Sequence, residues 1–435
     1  MTEVGLSLAS TRVLARPASV HAAVPVPVAL VPAAEAEALA GEWAALADEA
    51  LQQNPLFLPG FVLPAARSLA SGVRIATVRD AAGQLIALAP VTATRLGRIA
   101  PALRVWSHDY GPLGGPLLAG SVAGDAASGL IEAARGTALA VPDLALDGPV
   151  AGALLRAAAA AGRKVTIRGK HERAAFRADR GTDPRAMLSP RRRKEYGRQL
   201  RRLAEEGRVQ QESITDPAAV IAAFDEFLAL EAAGWKGARG TAMAARAETS
   251  GFAREAIARL AAAGSVRIEA LRFEGRMIAG LVSILSGRAA VTWKIAYDEA
   301  FARFSPGAQV MLDAPVALAK ANVTHVDSLA TADHPLANHI WPDRIAIGTL
   351  IIGPARGAFR HRLALASLAA EDRARTLAKR LRDRVRSSLA KRKQSVDGRP
   401  CAGHPTDFLP WSILAPAAPC GSPSPSSSSG FRRRR

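Results

Sequence analysis

VTWKIAYDEAFARFSPGAQVMLDAPVALAK, residues 291–320, joins a strand-like run to a loop and then to a helix start. Ser305 falls at the expected N-cap, Pro306 at the first helical position, and Gly307 leaves the first turn without a side chain. Such a start presents unpaired backbone N–H groups at the positive end of a helix dipole, equivalent to roughly half a charge. A phosphate or pyrophosphate can dock there without a metal, although Ser-Pro before an apolar run is also a common way to begin any helix.

Just upstream, VRIEALRFEGRMIAGLVSILSGR, residues 266–288, alternates and turns at Gly275 as a hairpin does. The same design occurs 193 residues earlier as VRIATVRDAAGQLIALAPVTATR, residues 73–95. Val73, Arg74 and Ile75 match Val266, Arg267 and Ile268, Gly83 matches Gly275, and Ile86-Ala87 matches Ile278-Ala279. Each hairpin follows helical sequence and precedes an apolar strand, RVWSHDY at 104–110 and VTWKIAY at 291–297. A helix and a further strand follow both: SGLIEAARGTA then DLALD, and GAQVMLDAPVALAKA then VTHVDSLA. Five elements matching in order predict two tandem copies of one α/β unit.

The rest of the chain fits around these copies. Residues 1–35 lack periodicity and read as a flexible N-terminal segment; 36–169 form the first unit and 213–355 the second. Between them, 170–212 is a basic connector containing SPRRRKEYGRQLRRLAEEG, a helix capped at Ser189 with Tyr196, Leu200 and Leu203 on one face and Gly207 at its end. Residues 356–393 predict a basic helix and 394–435 a disordered tail.

The chain of 435 residues carries a formal charge of +19, which taken alone suggests a nucleic-acid binder. Its distribution argues otherwise: residues 168–208 are net +8 and 356–393 net +10, while the body apart from these and the tail is close to neutral. The basic helix of the connector, 189–207, has one aromatic residue, Tyr196, so the stacking platform of a single-strand binder is absent. The two cysteines, Cys401 and Cys420, both lie in the tail, so no disulfide or cysteine metal site holds the core. With no apolar run of about 20 residues and no signal-peptide pattern, the sequence reads as cytoplasmic. The basic C-terminal segment is able to touch an anionic inner-membrane surface weakly.

A mixed sheet with a hairpin, a following strand and a helix with a bare N-terminus resembles the GNAT acyltransferase superfamily. Two such units in tandem resemble its FemAB-like branch and, within it, the CelD/BcsL-type acetyltransferases. The resemblance is carried by FLALEAAGWKGARGTAM at 227–243, by FSPGAQVMLDAPV at 304–316 and by the basic helix between the units. It implies transfer of an acyl group from an acyl-CoA, acetyl-CoA first among them, to the amine of a small-molecule or saccharide acceptor, with no metal. Some FemAB relatives use aminoacyl-tRNA instead, and a non-catalytic adaptor built on the basic segments is the other alternative. Envelope or exopolysaccharide metabolism is the setting the resemblance implies. One departure stands out: Arg303-Phe304-Ser305-Pro306-Gly307-Ala308 keeps a single glycine of the superfamily's Q/R-x-x-G-x-G/A turn.

On this reading Ser305, Gly307, Ala308 and Gln309 bind the donor's pyrophosphate. Asp327, at the end of VTHVDSLA, and His334 in the loop after it are candidate proton acceptors, each also able to act as a simple cap. Strict alternation puts Tyr297 on the Trp293 side of its strand and Lys294 opposite, so one or the other faces the reacting centre, and Tyr297 is taken as the third candidate. Trp235, Lys236, Arg239 and Thr241, on a Gly-rich turn, together with Trp293, suit an acceptor pocket. His325, Asp327, His334 and His339 superficially suggest a metal set, but a shared strand face alone does not make one.

Overall fold

The computed structural model describes residues 27–178, 181 and 183–396; the flexible-segment expectation for 1–26 and the tail from 397 lie outside them. The first half runs β1 (Val28–Pro32), α1 (Ala40–Asp48), α2 (Pro59–Leu69), β2 (Arg74–Arg79), β3 (Leu85–Leu96) and β4 (Ala100–Val105). It continues through β5 (Leu117–Leu118), α3 (Ala123–Ala133), β6 (Ala138–Ala145), α4 (Pro149–Ala160) and β7 (Val165–Arg177). The second half runs α5 (Pro190–Glu206), β8 (Val209–Ile214), α6 (Pro217–Ala233), α7 (Trp235–Ala238), α8 (Ala247–Ala262), β9 (Val266–Phe273) and β10 (Arg276–Ser286). Then come β11 (Ala289–Tyr297), α9 (Pro306–Lys320), β12 (His325–Asp327), α10 (Pro335–Ile340), β13 (Asp343–Ile352) and α11 (Ala358–Val396).

The duplication goes beyond the five elements read from sequence. In both halves a leading strand pairs antiparallel with the hairpin, whose second strand pairs with the next, which pairs parallel with a fifth: β1-β2-β3-β4-β6 and β8-β9-β10-β11-β12. The last strands are exchanged. β7 of the first half lies antiparallel to β12 of the second, β13 of the second lies antiparallel to β6 of the first, and β7 and β13 pair with each other at the middle of one continuous sheet. Residues 170–177, expected in the connector, are therefore the second part of a sheet strand.

Local chemistry explains most boundaries. Gly83 (φ +82°) and Gly275 (φ +79°) turn the two hairpins in the left-handed region that glycine enters freely. The Asp216 carboxylate caps α6 on the Ala219 N–H, and Ser189 caps α5 on the Arg192 N–H. Tyr196, Leu200 and buried Leu203 seat α5 on the core formed with α9. The expected strand at 104–110 sits earlier, at Ala100–Val105; the polar run Ser107–Tyr110 leaves the sheet, and residues 108 and 111 close a tight turn by exchanging backbone hydrogen bonds.

Residues up to Glu371 form one compact body, and those from Asp372 a second, whose described part is helical. Within the first body, Ala364 of α11 is buried, and Leu365 and Leu368 cover Leu96, Ala100 and Ile351. No helix among the described residues is long and apolar enough to cross a membrane.

Candidate active site

β11 and β12 pair parallel at only three positions, from Ala289 with His325 to Val291 with Asp327. One further tie, the Thr292 hydroxyl donating to Ser328 O at 3.2 Å, closes the junction; Leu329 (φ +50°) then turns the chain away. β11 continues to Tyr297 along β10 while β12 ends at Asp327, so β11 loses its β12 partner beside residues 293–297, and this unpaired edge is the wedge between the two strands. A bulge sits where the wedge opens. Lys294 pairs with Val282 and Thr292 with Ser283, which leaves Trp293 without a partner on β10.

The bulge reverses the parity read from sequence. The extra residue puts Trp293 and Ala296 into the core beneath α6 and α8, while Ile295 and Tyr297 pack against the α9 side. Lys294 therefore shares the Trp293 face, with its Nζ 4.6 Å from the centre of the Tyr110 ring, and Tyr297 points the other way. Tyr297 instead walls the start of α9: a Cβ on Gly307 would lie 3.2 Å from its ring.

At that helix start the expected cradle is only partly formed. Ser305 adopts a left-handed conformation (φ +51°, ψ +49°) and its side chain caps nothing; its carbonyl accepts from the Ala308 and Gln309 N–H groups at 2.9 and 3.2 Å. Those two amides are thus spent within the turn. Gln309 is buried and its amide donates to Tyr196 O of α5 at 3.0 Å, so it braces the two helices together rather than reaching a ligand. What remains for an anion is the Ser305 hydroxyl and the dipole of a 15-residue helix, since Gly307 is itself buried against Tyr297 and Ile295. Beside it, α5 exposes Arg191, Arg192, Arg193 and Lys194.

The Trp-Lys-Gly turn is tied to β11 through Lys236. Lys236 pairs with buried Glu231 at 2.8 Å and donates to Ile295 O at 3.0 Å; Glu231 also accepts from the Met243 N–H. Gly237 is required here, because a Cβ would fall 1.7 Å from Ala232 O. Thr241 Oγ1 donates to Lys236 O, and the Arg239 guanidinium stacks 5.0 Å from the half-buried Trp235 ring. A cavity of about 520 Å³ adjoins this turn, lined by Glu226, Leu230, Gly234, Arg276, Asp298 and Glu299 among others. Its carboxylates are already engaged: Glu226 by Arg272, Asp298 by Arg276, and Glu299 by the Trp235 N–H. Trp293 is not a pocket wall, being buried against Phe61, Phe224 and Phe252 with its indole N–H on Tyr110 O at 2.7 Å.

The two remaining candidate bases lie elsewhere in hydrogen-bonded roles. Asp327 Oδ2 accepts from Arg173 Nε at 3.1 Å and Nη2 at 2.6 Å, and Oδ1 accepts from the Leu329 N–H, so both oxygens are engaged in structural hydrogen bonds. Arg173 also donates to Pro112 O, tying β7, β12 and the first half's loop together. His334 caps α10, its Nδ1 accepting from the Ala337 N–H at 3.0 Å; burial pushes its imidazole down to about 4.

In their place the fold assembles groups from both halves on the α6 face of the bulge. The 106–111 loop supplies Trp106, His108 and Tyr110; the second half supplies Phe252, Trp293, Lys294, Lys236 and Glu231. The His108 ring stacks on Trp106 at 4.4 Å, and its buried Nδ1 has no hydrogen-bond partner among the described residues. Burial, with the Lys294 cation behind it, pushes that imidazole down to about 4. Sequence offered two faint signals for this cluster: Glu231 as a lone carboxylate in the apolar run FLALEAAG, and a Trp-x-x-x-Tyr spacing common to 106–110 and 293–297.

Parallel strands that lose their pairing, a bulge at that point and a helix start beyond it lie within the segment that matches a known family. The family model for the acetyltransferase (GNAT) domain matches residues 190–335. The chain carries a GNAT domain. That domain spans α5 to the start of α10 and includes the CelD/BcsL type within its family. Among solved structures, the DUF2156 C-terminal domain of a provisionally assigned lysylphosphatidylglycerol synthetase from Agrobacterium fabrum is similar over 77% of this chain and 96% of that one, with 14% identity and a TM-score of 0.50. FemX is similar over 72% and 95%, with 11% identity and a TM-score of 0.49. A tandem GNAT protein from the clavulanic acid biosynthesis pathway is similar over 77% and 99%, with 15% identity and a TM-score of 0.39. At these identities the likeness concerns the fold. No curated sequence matches the chain.

Proposed function

We propose that this GNAT-family acyltransferase moves an acyl group from acyl-CoA to the amine of an acceptor that enters on the α6 face. The observation that carries this reading is the wedge between β11 and β12, opened by the Trp293 bulge inside the GNAT domain. Its shape suits an extended thioester arm. Trp293 has no register partner on β10, and we assign the backbone N–H at this bulge the role of donating to the thioester oxygen as charge develops there. We assign the donor's phosphates to the start of α9 at the Ser305 hydroxyl, where Gly307 lets the Tyr297 ring lie close against the first turn, and the exposed arginines of α5 add positive potential. Acyl-CoA supplies the activated carbonyl; the chain's part is to hold it against the amine and to accept the amine's proton.

The test is thiol release from a panel of acyl-CoAs with a library of amines, together with thermal protection by each acyl-CoA. Protection by at least one acyl-CoA and amine-dependent thiol release are expected; a protein that neither binds nor consumes any acyl-CoA overturns the reading. One observation favours an aminoacyl-tRNA donor instead, namely the exposed basic face of α5 beside the start of α9. In that case binding falls steeply with salt and aminoacyl-tRNA, not acyl-CoA, is consumed.

A further inference from the structure

We propose that Lys294 is the group that takes the acceptor's proton, in a site completed by the first half's 106–111 loop. The inference rests on the acyl-transfer reading and deepens it. Lys294 follows the bulge residue directly, so its side chain starts one residue from the point at which the wedge opens. The bulge turns that side chain onto the α6 face, away from the start of α9, so base and donor phosphates are kept apart.

The surroundings of Lys294 are unlike those of a structural lysine. Its neighbour Lys236 holds the buried carboxylate of Glu231, whereas Lys294 has no carboxylate within ion-pair distance among the described residues. Its contacts are aromatic, with the Tyr110 ring at 4.6 Å and the Trp293 ring at 5.9 Å. A partly desolvated ammonium with no counter-ion is held at a cost that a fold seldom bears without a use. Burial pushes Lys294 down to about 8, the Lys236 cation pushes further in the same direction, and Glu231 and Asp109 oppose. His108 and Tyr110 are the other titratable groups facing it; the first is neutral at pH 7 and the second retains its proton. A fraction of Lys294 is thus the free amine near neutral pH, which is the form a base requires.

The step balances with the groups present. The acceptor's amine nitrogen bonds to the thioester carbonyl carbon, the carbon–sulfur bond breaks, and the sulfur leaves with the electron pair. One N–H proton passes to Lys294 Nζ and from there to the leaving thiolate, so the products are an amide and a thiol.

The experiment compares Lys294→Met and Lys294→Arg with the unmodified protein. Arginine keeps the charge and much of the reach but cannot give up its proton in this pH range. Both variants are expected to retain thermal protection by acyl-CoA and to lose at least 100-fold in amine-dependent thiol release. Activity retained by the arginine variant means the charge matters and not the proton, and overturns the inference; so does loss of acyl-CoA protection, which would place Lys294 in donor binding. In the unmodified protein, kcat/KM should rise with pH through a limb near 8. Lys236→Met should move that limb upward, because a neighbouring cation is removed and Glu231 is freed to favour protonated Lys294. A limb belonging to the acceptor amine would stay where it is, and a stationary limb overturns the assignment. Absence of thiol release from every acyl-CoA by the unmodified protein is the distinct result that removes the acyl-transfer reading beneath it.

Discussion

Replacing Asp327 by Asn separates a structural role from a catalytic one at the residue whose position, a carboxylate at a strand end near the wedge, most invites a catalytic assignment. The Arg173 and Asp327 side chains are 3% and 11% exposed, and the carboxylate takes two hydrogen bonds from the guanidinium. Asparagine leaves a buried guanidinium without its counter-charge, a change that costs about 3–5 kcal/mol when one partner of a buried pair is removed. The bond from Arg173 Nη1 to Pro112 O survives and keeps part of that charge solvated, which favours the lower end, about 3 kcal/mol. In a body of this size each kcal/mol moves the melting temperature by about 2 °C, so a fall of about 6 °C is expected. The double variant Arg173→Met, Asp327→Leu should recover most of it, because replacing both charges by apolar groups in a dry site is close to neutral. The assays are urea unfolding and thermal melting, with thiol release measured on the folded fraction. An Asp327→Asn variant that melts normally but has lost its activity refutes the structural assignment, and a double variant as unstable as the single one refutes the ion-pair account.

Further outcomes follow from the same geometry. Gly237→Ala places a Cβ against Ala232 O and must unseat the turn that carries Lys236 to Glu231; a loss of about 3 kcal/mol is expected, read by urea unfolding, and a neutral result would mean the close approach is not real. His108 has its folded pKa depressed to about 4, below the unfolded value of about 6.5, so its contribution is intact above pH 6.5 and is lost as pH falls toward 4. At pH 5 that loss is about 2 kcal/mol, and His108→Phe should flatten the unfolding free energy between pH 7.5 and 5 by that amount, with an unchanged slope counting against it. Gly307→Ala should weaken acyl-CoA protection modestly, since Tyr297 has only to yield a few tenths of an ångström, and Gly307→Leu should abolish it; undiminished protection of the leucine variant would move the donor elsewhere. Phe359 and Leu363 are exposed on the basic α11, so vesicles with anionic lipid should retain the protein at low salt and lose it when residues 356–435 are removed; equal retention without that segment would exclude it as the contact.

The tandem architecture was legible because hairpins write themselves into sequence through alternation and a turn glycine, and both hairpins did so. The strand exchange was not. β7 is VTIRGKHERAAFR, whose middle is polar and exposed and therefore reads as the start of a connector. Only Arg173 to Phe176, near its end, are buried, where they meet β12 and β13. The face that each residue of β11 presents was hidden for a related reason. A one-residue bulge leaves no mark on composition, yet it reverses the face of every residue after it, exchanging Lys294 and Tyr297. Likewise Ser305 has the right identity for a cap, but its left-handed backbone turns its carbonyl, not its hydroxyl, toward the helix amides.

The exchange also explains why the first half remains attached to a domain that already contains the wedge. β7 supplies Arg173 to β12, and Arg173 reaches on to Pro112, so the strand that completes the second half's sheet also fixes the loop that carries His108 and Tyr110. From the other side, Trp293 of the bulge holds the same loop by donating to Tyr110 O. Two ties, one from each edge of the wedge, therefore set the distance between Lys294 and the aromatic groups over it. A GNAT domain cut at residue 190 would lose β7, leave Asp327 unpaired and expose the Trp293 face, so its wedge would lack both the strand that braces one edge and the loop that covers the other. The first half is on this argument part of the site itself. Its removal should abolish acyl transfer even where the remaining domain still folds.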